Sequence, residues 1–272
     1  MLTFLNPFDR AQPFPDVRKA LAEPNGLLAV GGCLSPDRLM NAYRRGIFPW
    51  YSNEEPILWW SPDPRLVLAP ERVKVSRSLR KRLARGEFRF SFDRCFDTVV
   101  ESCAAPREHS AGTWISQDIR RAYAELHRLG LAHSFEAWRD GELAGGLYGV
   151  ALGRVFFGES MFHRATDASK ACFVEACAKL LDWGYELIDC QVHTPHLVSL
   201  GAVEIPRLHF IRKLDLLCEQ PVSDRSWIGG SRSVPPFGKG GQGGFFDGVT
   251  ECLTKEIPPN PPFSEGGDEL LR

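Results

Sequence analysis

Residues 133–162 read HSFEAWRDGELAGGLYGVALGRVFFGESMF, and this stretch decides the fold class. Asp140-Gly141 and Leu152-Gly153 are turn pairs, so the stretch predicts three consecutive strands joined by turns. Downstream, Asp167 opens a helix with Phe173, Cys177, Leu180 and Leu181 at helical spacing, ended by Gly184. A short apolar strand at 187–191 follows, then a helix ending near Gly201 and a final strand over 207–214. Upstream, Phe88, Phe90 and Phe92 alternate with Arg89 and Ser91 as a half-buried strand. Ser116 caps a helix with Ile119, Tyr123 and Leu126 on one face, closed by Gly130. This order implies an α+β domain built on a mixed sheet, occupying about residues 66–220.

The flanks differ in texture. Residues 1–65, rich in Pro, Gly and Trp, are expected to form a small N-terminal domain. Within it Ser35-Pro36-Asp37 starts a helix that runs through Tyr43 and stops at Gly46. From about 221 to 272 the chain is low in complexity: Pro235-Pro236-Phe237-Gly238 returns imperfectly as Pro261-Pro262-Phe263-Ser264. Such sequence buries too little apolar surface to offset its chain entropy, so a disordered tail is expected. Gly238, Gly240 and Gly243 fit Gly-x-Gly-x-x-Gly, but no strand precedes them and no helix follows, so the match is chance.

Composition excludes several classes. A hydrophobic content of 43% with 25% charged residues is that of a globular protein. Residues 1–14 do not read as a signal peptide and no apolar run approaches the ~20 residues of a membrane helix, so a cytoplasmic monomer away from membranes is expected. The eight cysteines include no Cys-x-x-Cys pair and read as reduced, buried thiols. No Gly-Lys-Ser/Thr phosphate loop is present, and Gly158-Glu159-Ser160-Met161-Phe162 lacks the closing Gly of a nucleophile elbow. Cys190, His193 and His196 are broken by Pro195 and do not form the one-face array of zinc proteases, so neither metal nor cofactor is expected. What remains is a cleft suited to a substrate that arrives already activated.

Three constellations carry chemistry. Between 72 and 85 lie seven basic residues and no acid. A helix capped by Ser76 or Ser78 gathers Arg77, Lys81 and Arg85, with Arg80 beside them, as either a solvated face or a phosphate-binding patch. Trp50, Trp59, Trp60 and Trp114 are either core or, at the loop positions 50 and 114, platforms for an unpaired base. Asp189-Cys190-Gln191 ends an apolar strand, placing Asp189 and Gln191 on one side and Cys190 on the other. Glu159 ends the Phe156-Phe157-Gly158 run in the same way. Spacing alone leaves these polar groups as either site residues or hydrogen bonds to a neighbouring loop.

Together the motifs resemble the leucyl/phenylalanyl-tRNA–protein transferases. The residues that carry the resemblance are Glu23-Pro24-Asn25-Gly26-Leu27-Leu28-Ala29-Val30-Gly31-Gly32, Arg45-Gly46-Ile47-Phe48-Pro49-Trp50, Trp59-Trp60-Ser61-Pro62, Val75-Ser76-Arg77-Ser78-Leu79 and Gly112-Thr113-Trp114-Ile115. They continue as Phe157-Gly158-Glu159-Ser160-Met161-Phe162, Asp167-Ala168-Ser169-Lys170, Ile188-Asp189-Cys190-Gln191 and His196-Leu197-x-Ser199-Leu200-Gly201-Ala202-x-Glu204-Ile205-Pro206-Arg207. The resemblance implies an acetyltransferase-like (GNAT-type) sheet with a small N-terminal domain. It implies transfer of Leu, Phe or, less well, Met from aminoacyl-tRNA to proteins beginning with Arg or Lys, marking them for N-end-rule degradation. It places Trp50 and Trp114 near the terminal adenosine, and Phe156, Met161 and Ile188 around the amino-acid side chain, with Tyr123 and Ser160 also binding substrate. Glu159, Asp189 and Gln191 take the reaction, and Arg77, Arg80 and Lys81 take the tRNA. Cys33 stands where the family usually has Asp, and His163 where it commonly has Ser; both flank the motifs.

An aminoacyl ester needs only a neutral α-amine placed ~3 Å from its carbon, and such an amine has a pKa of roughly 8. The expectation is that Asp189 holds the amine and Gln191 orients it through its carbonyl, with Glu159 binding the amine or the ribose. Asp189→Ala is then expected to abolish transfer and leave donor binding intact. An acetyl-CoA-dependent acetyltransferase is the rival enzyme reading. Its phosphate turn has only a poor counterpart, His127-x-x-Gly130-x-Ala132, which follows a helix instead of opening one. A non-catalytic tRNA-binding module would leave Asp189 and Gln191 without a role.

Overall fold

The computed structural model describes residues 2–52, 54–105 and 114–228. The first part of the chain builds a small sheet from β1 (Thr3–Leu5), β2 (Leu27–Gly31), β3 (Phe48–Pro49) and β4 (Leu58–Trp60), with helix α1 (Pro36–Arg44) before β3. Its order is β1-β2-β4-β3. The Ser35 hydroxyl accepts from the Arg38 amide and Pro36 sits in the first turn, so α1 begins where its cap chemistry requires.

The remaining strands and helices follow as β5 (Arg65–Leu68), α2 (Arg77–Ala84), β6 (Arg89–Phe92), α3 (Phe96–Ala104), α4 (Gln117–Arg128), β7 (Ala132–Arg139), β8 (Glu142–Leu152) and β9 (Val155–His163). They end with α5 (Ala168–Asp182), β10 (Leu187–Gln191), α6 (Pro195–Ser199), β11 (Val203–Ile205) and α7 (Arg207–Leu217). Seven strands form one mixed sheet in the order β11-β5-β10-β9-β8-β7-β6. The three-strand meander and the crossover helix expected from the sequence are its centre. β9 and β10 run parallel with α5 between them, and the other neighbours are antiparallel.

Two buried clusters lie on opposite faces of the large sheet, as the alternation along its strands shows. Val155, Phe157 and Leu187 belong to the first, with α1, α3, α4, α7 and the small sheet. Phe156, Ile188 and Cys190 belong to the second, under α2 and α5. Both sheets therefore contribute to one core, within one compact unit.

Two expectations change. The segment expected as a final strand, 207–214, is the helix α7, because Phe210, Leu214 and Leu217 bury at helical spacing. Residues 221–228, at the start of the expected tail, are ordered against the second core. There Trp227 stacks on His133 at 3.8 Å and donates from Nε1 to the Tyr185 hydroxyl at 2.7 Å. Residues 229–272, the rest of that tail, lie outside the described residues. No helix among the described residues is long and apolar enough to cross a membrane.

Candidate active site

The candidate site lies where β9 and β10 part. Their ladder pairs Leu187, Ile188 and Asp189 with Val155, Phe156 and Phe157 and goes no further. Beyond it both strands are distorted. β9 carries an irregularity against β8, with Tyr148 opposite Ser160 but Gly149 opposite Gly158, so Glu159 is the extra residue. A side chain at Gly149 would meet the Phe157 carbonyl oxygen at 2.2 Å, so only glycine admits this approach. The insertion also shifts the strand's parity. Phe156 and Met161 pack on the same core, which uninterrupted alternation would forbid. β10 shifts register between Asp189 and Gln191, and Gln191 has a φ of 63°.

Glu159 enters the first core among hydroxyls. Its Oε1 accepts from the Tyr43 hydroxyl at 2.7 Å and from Gln191 Nε2 at 2.8 Å, and its Oε2 from the Tyr123 hydroxyl at 2.9 Å. The Tyr43 and Tyr123 hydroxyls also meet each other, a third contact that the two phenol protons can serve together with the other two only when Glu159 is itself protonated and donates. Burial pushes the Glu159 carboxyl up to about 7, and the nearby Asp189 charge adds to the rise, while its three donors oppose it. Burial also holds both tyrosines well above the usual phenol range, so they serve as donors.

Asp189 lies one residue from the turn and is fully buried. Its oxygens take Arg65 Nε at 2.8 Å and Arg65 Nη2 at 2.6 Å, and its Oδ1 also accepts the Gln191 amide at 2.9 Å. Arg65 completes its hydrogen bonding on the Gly46 carbonyl at 3.2 Å and lies between the Phe48 and Phe210 rings, 4.7 Å from each centroid. In this structure Asp189 is fully buried, with both carboxylate oxygens engaged by Arg65 and by the Gln191 amide. Asp189 thereby fixes the Gln191 backbone. Gln191 gives its amide nitrogen to Glu159, and its side-chain carbonyl has no partner among the described residues.

Phe156 and Ile188 are buried in the second core, Met161 packs against it half-buried, and Ser160 is half-buried at the bulge. The polar cluster and these apolar walls thus occupy opposite faces of the sheet, on either side of the gap between β9 and β10. Trp50 is 43% exposed, and its ring centroid lies 5.7 Å from that of Trp60. Both line a cavity of about 190 Å³ with Phe48, Pro62, Val192 and His193, directly after Gln191. Trp114 is half-buried against the first core, and Tyr51 and Ser116, neighbours of the Trp50 and Trp114 loops, line one cleft together. A larger open cleft of about 1190 Å³, lined by Tyr51, Ile57, Glu101, Ser116 and Arg120, contains none of the polar trio. The smaller cavity at Trp50 and His193 contains none of Glu159, Asp189 and Gln191 either.

Ser76 caps α2, its hydroxyl accepting from the Leu79 amide at 3.2 Å. Arg77, Arg80 and Lys81 are exposed on that helix and form no ion pair among the described residues, whereas Arg82 and Arg85 pair with Glu87. Sequence reasoning missed Arg65, Tyr43 as a Glu159 donor, and the bulge. Asp93, His127 and His133 bring three potential metal donors within 4.8 Å. His127 Nδ1 is already spent on the Ala132 carbonyl at 2.8 Å and His133 Nδ1 on Asp93 at 2.6 Å, so the trio reads as a structural knot.

The chain matches the sequence profile described as leucyl/phenylalanyl-tRNA protein transferase over residues 67–215, and that of the N-terminal domain of the same transferase over 32–63. A curated relative from Methylococcus capsulatus, leucyl/phenylalanyl-tRNA–protein transferase, is 60% identical over 227 residues, covering 84% of this chain and 97% of the relative. The transferase of the same name from Nitrosomonas europaea is 58% identical over 215 residues, 79% of this chain and 91% of the relative. Among solved structures, L-PGS from Bacillus licheniformis superposes with a TM-score of 0.36 at 9% identity, over 61% of this chain and 53% of that one. A GCN5-related N-acetyltransferase from Kribbella flavida gives 0.32 at 10% identity, over 63% and 61%.

Proposed function

The chain belongs to the leucyl/phenylalanyl-tRNA–protein transferase family, an aminoacyltransferase family, and we propose from this how its site works. The donor is tRNA charged with Leu, Phe or, less well, Met; the acceptor is the α-amine of a protein beginning with Arg or Lys. The product is a substrate for N-end-rule degradation, and the enzyme acts as a cytoplasmic monomer, where charged tRNA is found. The identities of donor and acceptor rest on the resemblance. The chemistry rests on the gap between β9 and β10.

The donor's terminal adenosine stacks at Trp50 and Trp114, and its aminoacyl side chain passes to the apolar face, against Phe156, Met161 and Ile188. The ester carbonyl then lies at the gap, beside Gln191 and Glu159. The unpartnered Gln191 carbonyl accepts an N–H of the incoming amine and aims the nitrogen lone pair at the ester carbon. The C–N bond forms, the bond to the ribose oxygen breaks, and the amine proton ends on that oxygen. A carboxyl with a pKa of about 7 is matched to relay the proton near neutral pH, and Glu159 is such a group. Asp189 and Arg65 are positioning residues that hold Gln191 in its left-handed turn.

One observation supports this reading: Gln191 is held by its backbone to Asp189 and by its amide nitrogen to Glu159, and its side-chain carbonyl has no partner among the described residues. A single-turnover assay with Leu-tRNA and peptides beginning with Arg, Lys or Ala tests it. Leu is expected on the Arg and Lys peptides alone, and Gln191→Ala is expected to slow transfer ~100-fold or more, as removal of a positioning group does. Equal labelling of the Ala peptide would exclude the acceptor assignment; full activity of Gln191→Ala would exclude the mechanism.

A further inference from the structure

The chain after α7 turns back onto the large sheet. Arg154 Nε, in the turn before β9, donates to the Pro221 carbonyl at 3.0 Å, and the Ser223 amide donates to the Trp183 carbonyl at 2.9 Å. These bonds steer the segment so that Trp227 packs against the second core, half-buried. Trp227 lies beyond residue 215, where the match to the family profile ends. Its φ of 59° is in the left-handed region that bulky side chains rarely adopt, so the ring contacts hold a backbone that would otherwise relax.

Those contacts reach the apolar wall of the candidate site from behind. The Trp227 and Phe156 rings lie 28° apart with centroids 6.1 Å from each other. Trp227 also stacks on His133 at 3.8 Å and meets Trp183 at 4.6 Å. Its Nε1 donates to the Tyr185 hydroxyl at 2.7 Å, two residues before β10 begins. β10 carries Ile188 opposite Phe156, so one indole braces both strands that bear these walls. The indole sits at the amino ends of β9 and β10, and the gap lies at their carboxyl ends, with Phe156 between.

The other sides of the Phe156 ring are closed by the sheet. A Cβ at Gly149 would meet its Cζ at 2.7 Å, so the ring edge lies on the β8 backbone. Phe135, on β7, meets it edge-on at 6.0 Å. Both neighbours are fixed by the ladders of β7, β8 and β9. Loss of the indole, in contrast, gives the Phe156 ring room to retreat from the gap.

We propose that Trp227 is a positioning residue that holds the Phe156 ring toward the gap, and thereby sets the depth of the aminoacyl pocket and the choice among apolar donor side chains. The inference rests on Phe156 lining that pocket. A firm floor suits Leu; a floor that yields admits the larger Phe side chain with less compression.

The test is the ratio of kcat/KM for Phe-tRNA over Leu-tRNA, with an Arg-starting peptide, in the full chain carrying Trp227→Leu, Trp227→Phe or Phe156→Ala. Urea midpoints on the same preparations report the fold. A merely structural loss lowers both rates together and leaves the ratio alone. Trp227→Leu is expected to raise the ratio about tenfold, the low end of what one methylene of pocket space controls. Trp227→Phe keeps a ring against Phe156 and is expected to stay within about twofold of the native ratio, although it cannot donate to Tyr185. Should Trp227→Leu fail to fold, Trp227→Met takes its place under the same expectation. An unmoved ratio in Trp227→Leu beside a shifted one in Phe156→Ala overturns the inference. A shift in Trp227→Phe as large as in Trp227→Leu also overturns it, by assigning the effect to the Tyr185 bond. A ratio unmoved by Phe156→Ala overturns the pocket reading beneath it.

Discussion

Replacing Asp189 by Ala tests whether that carboxylate is a strut or a reactive group. Asp189 and Arg65 are 0% and 1% exposed and joined by two hydrogen bonds, so the substitution leaves a guanidinium buried between Phe48 and Phe210 with only the Gly46 carbonyl to meet it. Removing one partner of a buried pair costs about 3–5 kcal/mol. In a domain of this size that corresponds to a fall of roughly 6–20 °C in Tm. Transfer is expected to fall as well, since the Gln191 amide loses its acceptor. The companion variant, Arg65→Met with Asp189→Leu, replaces the pair by apolar volume and is expected to regain most of the stability. It stays slow in transfer because nothing then holds Gln191. Urea unfolding and single-turnover transfer on the same preparations decide the matter. An unchanged midpoint in Asp189→Ala, or full activity in the double variant, would refute the strut.

Glu159 makes stability depend on pH in a defined direction. Its folded pKa, about 7, lies above the ordinary 4.5, so the native state binds the extra proton between those values and stability falls as pH rises through that window. The full decrease is about 3 kcal/mol on the alkaline side, and Glu159→Gln should flatten this part of the urea-midpoint profile; a profile parallel to the native one would contradict the assignment. The same variant is expected to lose the limb near pH 7 from the kcat/KM profile and to keep the limb set by the acceptor amine near pH ~8. Neutralising Arg77, Arg80 and Lys81 to Gln should lower the salt slope of tRNA binding by roughly 0.7–0.9 for each phosphate left without its cation, with the urea midpoint unmoved; an unaltered slope would place the tRNA elsewhere. Met161→Ala widens the apolar wall at a half-buried position, and is expected to move the kcat/KM ratio toward Phe over Leu by up to ~10-fold. A ratio that stays fixed would remove Met161 from the pocket.

Local signals were legible because they act over a few residues. Ser35, Ser76 and Ser116 each accept from an amide three residues on, and each marks the start of its helix. The turn pair at 140–141 separates β7 from β8, the turn between β8 and β9 falls at 153–154, one residue later than the pair read from the sequence, and the alternation of 189–191 sends Asp189 and Gln191 to one face and Cys190 to the other. What escaped was set by distance along the chain. Arg65 reads as a polar start to an apolar strand, and its partner stands 124 residues away. Tyr43 reaches Glu159 across 116 residues. The segment 207–214 misled because Leu208 and Phe210 alternate like a strand, while Leu217, which completes the helical stripe, lies beyond the window.

The Glu159 environment ties the sequence before β5 to the proposed reactive centre. A carboxyl buried in a core either finds donors or stays protonated. Here Tyr43 comes from α1 and Tyr123 from α4, so the acid is held from two helices while Gln191 approaches from β10. Arg65 repeats the pattern on the other side of the turn, binding the Gly46 carbonyl at the end of α1 together with Asp189. Any shift of α1 against the large sheet must therefore move both the proton-carrying group and the anchor of Gln191. The positioning that the reaction needs is built from contacts between the early part of the chain and the strand gap, and no segment of the sheet supplies it alone.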